Sequence, residues 1–264
     1  MDNYKQTLPR YESMKYRRCG QSGLLLPEIS LGFWHNFGAD ASKDNCREIV
    51  ECAFDNGITY FDLSNNYGPP CGAAESLFGE IFWSSLAAHR DEVVIATKAG
   101  HDMWPGPYGE WGSRKTIIAS IDQSLKRMKL DYVDIFYSHR PDPLTPIEET
   151  MQAFVDVVRQ GKALYVGLSK YPPEMAAKAY AYLRERHVPC LVYQGRYNMI
   201  DRNVEPEILP QAEAAGAGFV AFSPLAQGLL TGKYQHGIPE GSRMTHSGFL
   251  KPDVLTPELL DQIA

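Results

Sequence analysis

A chain of 264 residues, 44% hydrophobic and 22% charged, has ordinary globular composition and the length of one large α/β domain. Its net charge of −6 excludes nucleic acid as the expected partner, and no apolar run approaches the ~20 residues of a membrane span. Five scattered cysteines (Cys19, Cys46, Cys52, Cys71, Cys190) without a CxxC pair read as free thiols in a reducing compartment. Because the N-terminal stretch is polar and holds no apolar signal core, the expectation is a cytoplasmic protein.

Residues 1–13 read as a mobile arm. Residues 14–18 and 24–26 flank the turn sequence Cys19-Gly20-Gln21-Ser22-Gly23, which predicts a β-hairpin. Short apolar β runs then alternate with helical patterns. The strands are expected at 29–32, 58–63, 93–98, 133–138, 163–168, 191–194 and 218–222. The helices between them are expected at 43–56, 74–86, 114–128, 146–160, 173–186 and 205–215, and Thr256-Pro257-Glu258 opens one more. Gly57 and Gly216 supply helix stops, and Pro146 sits near a first turn.

Strict alternation with continuous apolar strands predicts parallel strands covered on both faces. Polar residues close nearly every strand: Asp62, Lys98, His139, Ser169, Gln194 and Ser223. One site ringed by all the strand ends favours a TIM-type (β/α)8 barrel over an open doubly wound sheet, which gathers its site at one switch point. The expected architecture is therefore a single barrel domain over 1–264 with an N-terminal hairpin. Seven strands are found where a closed barrel has eight, so the chain reads as truncated before the last strand.

No Rossmann GxGxxG, P-loop or GxSxG elbow is present. The seven histidines form no HxH or HxxxH pair, so no metal site is expected. The chemistry concentrates instead on Asp62, Tyr67, Lys98 and His139, from three neighbouring strand ends. Each alone would more often be a cap, a loop aromatic or a solvated charge. Together they could lower a phenol pKa by placing a lysine beside it, hold that lysine with a carboxylate, and orient a carbonyl with a neutral histidine.

At this point the sequence resembles the aldo-keto reductases over nearly its whole length. The resemblance rests on Gly57-Ile58-Thr59-Tyr60-Phe61-Asp62 with Asn66-Tyr67-Gly68, Ala96-Thr97-Lys98, and Ser138-His139-Arg140. It continues through Gly161-Lys162-Ala163-Leu164-Tyr165-Val166-Gly167-Leu168-Ser169, Gln194 with Tyr197-Asn198, and residues 222–234. Tyr67-Gly68-Pro69-Pro70 and residues 102–109 look closest to the bacterial glyceraldehyde 3-phosphate reductase branch, related to potassium-channel β-subunits. The resemblance implies Tyr67 as general acid, tuned by Lys98 and Asp62, with His139 positioning the carbonyl. It implies NADPH as cofactor, with NADH left open. Ser169 and Gln194 match residues that hold the nicotinamide carboxamide, and Ser223, Leu225, Gly228 and Lys233 match the pyrophosphate loop. Lys170 stands where the family often has asparagine.

The expected partner is a small carbonyl compound such as glyceraldehyde 3-phosphate or methylglyoxal, with no nucleic acid and no membrane; a homo-oligomer is left open. Trp34, Trp104 and Trp111 either wall the substrate pocket or pack their loops. Arg114 and Arg140 either meet a substrate phosphate or are solvated, and Lys126 and Arg127 read as a helix face. The alternative to an enzyme is a non-catalytic or weakly catalytic binding or regulatory protein of the channel β-subunit kind.

Overall fold

The computed structural model describes residues 10–246 and 248–263. Residues 1–9 of the expected arm lie outside the described residues. Arg10–Ser13 form a short helix, α1. The Arg10 guanidinium is buried, 3.9 Å from the Phe54 ring centroid and 3.4 Å from Glu92.

The hairpin pairs β1 (Tyr16–Arg18) antiparallel with β2 (Leu25–Pro27). The alternation then unfolds as β3 (Leu31–Gly32), α2 (Lys43–Asp55), β4 (Tyr60–Asp62), α3 (Ala73–Ile81), β5 (Val94–Ala99) and α4 (Arg114–Met128). It continues with β6 (Val133–Ser138), α5 (Ile147–Arg159), β7 (Ala163–Ser169), α6 (Pro173–Glu185), β8 (Cys190–Arg196), α7 (Ile208–Ala215) and β9 (Gly218–Phe222). Short helices α8 (Arg243–His246) and α9 (Pro257–Gln262) follow. Ser42 caps α2 by accepting from the Asn45 amide, and Gly57 at φ 77° turns the chain into β4.

Two helices differ from the expected bounds. The pattern over 74–86 ends as regular helix at Ile81 and widens into a π turn over Phe82–Leu86. The last helix before β9 starts at Ile208, not at Glu205. Pro210 explains this: it fits a first turn, whereas a start at Glu205 would place it in the interior, where it lacks a donor and clashes with the preceding turn.

The seven strands β3 to β9 are all parallel and lie in sequential order. A doubly wound sheet reverses its order at a switch point; sequential order is that of a (β/α)8 barrel. The sheet curls, so that Gly32 in β3 and Val220 in β9 face one cavity, and among the described residues no strand joins those two edges.

Two apolar layers result. Phe54, Phe61, Phe78, Ile121, Phe136 and Phe154 fill the layer between sheet and helices. Cys19, Leu26, Tyr60, Ala96, Ile135, Tyr137 and Val192 fill the concave face, with the hairpin closing its base. The hairpin is pinned there by the Gln21 amide donating to the Gly216 carbonyl at 2.9 Å. Arg127 is more than a helix face. Its guanidinium pairs at 2.7 Å with fully buried Glu75, whose other oxygen accepts from Thr97, tying α3 and α4 to β5 just before Lys98.

Candidate active site

Parallel strands that start together also end together, so all seven deliver their C-terminal residues to one rim. After Asp62 the chain stays clamped to β5: the Leu63 amide donates to the Ala96 carbonyl at 2.9 Å and the Asn65 amide to the Lys98 carbonyl at 3.0 Å. This clamp swings Tyr67 back over Lys98.

The Lys98 ammonium, fully buried, donates to Asp62 Oδ2 at 2.6 Å, to the Leu63 carbonyl at 2.7 Å and to the Tyr67 hydroxyl at 3.4 Å. All three of its protons are therefore placed. Asp62 Oδ1 accepts from Gln194 Nε2 at 3.1 Å and from the Tyr60 hydroxyl at 3.3 Å, and Tyr60 meets the Tyr137 hydroxyl at 2.7 Å. Burial pulls the Lys98 pKa down, but Asp62 and Tyr67 outweigh it and the net shift is upward. The lysine stays charged.

His139 follows β6 and is 4% exposed. Its Nδ1 lies 3.0 Å from Ser64 Oγ, and its ring meets Tyr67 edge-on at 5.9 Å between centroids. Burial, reinforced by Lys98, Lys170, His101 and Arg140, drives its pKa well below the usual histidine value. The ring is neutral. The four residues expected to act together are thus brought together, but Tyr67 departs from expectation in one respect. Its pKa is raised, because burial, aided by Asp62, outweighs the lowering by Lys98.

A cavity of about 1700 Å³ opens in front of these groups. Trp34, Asp62, Tyr67, His139, Gln194 and Ser223 line it. Trp104 and Trp111 are not among its lining residues; Trp111 instead lies under the Arg140 guanidinium at 3.8 Å. Arg140 also bonds Glu110, and Arg114 pairs with Asp156 across two helices, so both are occupied away from the cavity. Ser169 ends β7 with its buried Oγ unpartnered. Leu225, Gly228 and Lys233 lie outside the lining, with Lys233 folded against Gly228. Between them, Ala226, Gln227 and Gly228 run consecutively at φ 46°, 61° and 103°, and Gln227, which lines the cavity, has an unpartnered buried Oε1.

Several lining residues were not expected: Tyr60, Asn66, His101, Lys170 and Arg196. Tyr60 was legible in principle, since residues two apart on a strand share a face and Asp62 already pointed inward. His101, whose ring meets His139 at 4.4 Å, is pulled to a pKa of about 4 by burial and by Lys170 and Arg140. Among the described residues, no group of His, Cys, Asp or Glu side chains could hold a metal ion, and no helix is long and apolar enough to cross a membrane.

The aldo/keto reductase family profile matches residues 28–264. L-glyceraldehyde 3-phosphate reductase of Escherichia coli K12 is 56% identical over 254 residues, covering 96% of this chain and 73% of that protein. A probable voltage-gated potassium channel subunit beta of Arabidopsis thaliana is 40% identical over 235 residues, covering 87% of this chain and 70% of that protein. The corresponding protein of Oryza sativa subsp. japonica is 37% identical over the same length. Sequential strand order, a strand-end cluster on one rim and these matches agree: the chain belongs to the aldo/keto reductase family and is an oxidoreductase.

Proposed function

We propose that this chain reduces a small phosphorylated aldehyde of the glyceraldehyde 3-phosphate kind to its alcohol, with NADPH as cofactor and Tyr67 as general acid. The carrying observation is the charged Lys98 held by Asp62 at 2.6 Å and standing 3.4 Å from the Tyr67 hydroxyl, beside a neutral His139. Such a cluster suits the delivery of a proton to an oxygen that is becoming negative.

The residues present fit a dinucleotide. The unpartnered Ser169 Oγ and Gln194 at adjacent strand ends suit a carboxamide. In the loop after β9, Gln227 lines the cavity with an unpartnered buried Oε1 that can accept from a hydroxyl or amino group of such a ligand. The bound cofactor supplies the hydride. Everything else falls to the chain. His139 orients the carbonyl oxygen, and Tyr67 delivers its proton to that oxygen. Lys98 then stabilises the phenolate left behind, by about 5 kcal/mol at 3.4 Å and an effective dielectric of ~20. The raised Tyr67 pKa keeps the phenol loaded through the neutral range.

A phosphorylated substrate is supported by the charge around the cavity. Its two lining carboxylates are already engaged, Asp62 by Lys98 and Glu28 by Arg17 at 2.7 Å. Lys170 and Arg18 line the same space, with Arg196 beside them 3.9 Å from Asp201, so the lining side chains are net positive. The name of the Escherichia coli relative supports the same class. No observation on this chain favours the channel-subunit alternative over this reading.

The test is turnover of glyceraldehyde 3-phosphate and methylglyoxal with NADPH and NADH. Tyr67→Phe should lose about 10²- to 10⁴-fold in kcat while cofactor affinity, read by nicotinamide fluorescence, holds. Equal turnover by the variant would overturn the assignment of the acid.

A further inference from the structure

We propose that Glu75, together with Thr97 and Arg127, is a positioning residue for the reduction: from the outer side of the sheet it sets the distance between the Tyr67 phenol and the Lys98 ammonium. The inference rests on the reductase reading above and adds to it a device, away from the cavity, that holds the proton donor against its cation.

Tyr67 and Lys98 reach each other from different elements, a loop and a strand. Their contact of 3.4 Å is the longest of the three the ammonium makes, against 2.6 Å to Asp62 and 2.7 Å to the Leu63 carbonyl. Asp62 and Leu63 therefore hold the lysine, but they do not hold the phenol. The backbone bonds of Leu63 and Asn65 fix the near end of the Tyr67 loop to β5. Its far end hangs on the first turn of α3, where the Ala74 amide donates to the Tyr67 carbonyl at 3.2 Å. The next residue is Glu75, which is fully buried.

Both carboxylate oxygens of Glu75 are used, and each meets a different element. Oε1 accepts from the Thr97 hydroxyl on β5, and Oε2 accepts from Arg127 Nε on α4 at 2.7 Å. Thr97 directly precedes Lys98, and successive side chains on a strand point to opposite faces. The Thr97 bond thus grips β5 on its helix side, at the backbone that carries Lys98 into the cavity; Thr97 is itself fully buried. Arg127 braces the loop. Its guanidinium lies against Gly72, the residue before α3, where a Cβ would sit 2.8 Å from Arg127 Cδ and 3.1 Å from Nε. It also donates to Ser124 Oγ at 3.3 Å. One carboxylate thereby ties the strand under Lys98 to the helix from which the Tyr67 loop hangs, and none of Glu75, Thr97 and Arg127 lines the cavity.

The experiment is a double-mutant cycle in the 264-residue chain, read as single-turnover oxidation of NADPH by glyceraldehyde 3-phosphate. Thr97→Val removes the hydroxyl at nearly constant shape. It should slow the reaction roughly 10- to 100-fold with KM and NADPH affinity unchanged, because a misplacement of about 1 Å suffices for such a loss. Thr97→Ser keeps the hydroxyl and should restore most of the rate. In a Tyr67→Phe background, Thr97→Val should cost at most about threefold, since the phenol it positions is gone, while its effect on the denaturant midpoint should be the same in both backgrounds. Where Thr97→Val fails to fold, Arg127→Lys, which keeps the charge and loses the planar fork, should show the same dependence on Tyr67. Additive rate losses, or a full rate in the single variant, would refute the proposal and leave the cluster a structural tie only. A crystal structure of the variant gives a reading independent of activity: the Tyr67 to Lys98 separation should lengthen by about 0.5–1 Å, and an unchanged separation would refute the proposal. An inactive wild type would refute the reductase reading instead, and the crystal structure would still decide the positioning role.

Discussion

The phenol of Tyr67 feels three influences: burial and Asp62 push its pKa up, while Lys98 pulls it down. Spacing along the chain shows that a lysine and a phenol share a rim, and so it predicts the pull. It carries no measure of how completely the loop covers the phenol, and burial decides the sign. His139 shows the same physics with a testable edge. Its folded pKa lies well below its unfolded value of ~6.5, so below pH ~6.5 the unfolded chain binds the extra proton. The contribution of this group is therefore fully present above pH ~6.5 and is lost as pH falls. The loss is at most about 1.4 kcal/mol per pH unit for one proton. Denaturant unfolding at pH 7.5, 6.5 and 5.5 should show wild type losing more stability than His139→Gln over that range; parallel losses would mean that the ring is not buried neutral.

At the scale of elements, the sequence showed most of the strands and helices because each carries its own signal: a short apolar run ended by a polar residue, or a helical pattern stopped by a glycine or opened by a proline. What it hid were pairings between elements. Nothing in the local pattern links Arg127 on α4 to Glu75 on α3. Nor does it place Trp104 and Trp111 away from the cavity, since loop aromatics have no period to read. Gly167 is a further case. It pairs in register with Tyr137, and a Cβ there would lie 2.4 Å from two carbons of the Tyr137 ring. That ring cannot withdraw freely, because it is fully buried and bonded to the Tyr60 hydroxyl. Gly167→Ala should lower stability by about 1–3 kcal/mol, seen as a lower denaturant midpoint at unchanged slope. The cost should shrink in a Tyr137→Ala background. An equal cost in both backgrounds would show that the ring is not the obstacle.

For the whole molecule, sequential order and a single rim were legible from the regular recurrence of strand and polar terminus. The role of the hairpin as the floor of the concave face was not, because its contacts with Gly216 and Leu191 come from residues far along the chain. The two flanks of the sheet have a consequence of their own. In a parallel strand alternate N–H groups serve each neighbour, so an edge strand leaves about half of them facing outward. β3 holds only two paired residues, and β9 is half-exposed along most of its length, while β5 and β6 are buried throughout. Deuterium from the solvent should therefore enter the 264-residue chain from the flanks inward, labelling β9 and β3 early and β5, β6 and β7 last. Peptide-resolved exchange would read this as a gradient of protection across the sheet. Uniform protection would mean instead that the strands open together, and that the rim carrying Lys98 and His139 is only as durable as its weakest edge.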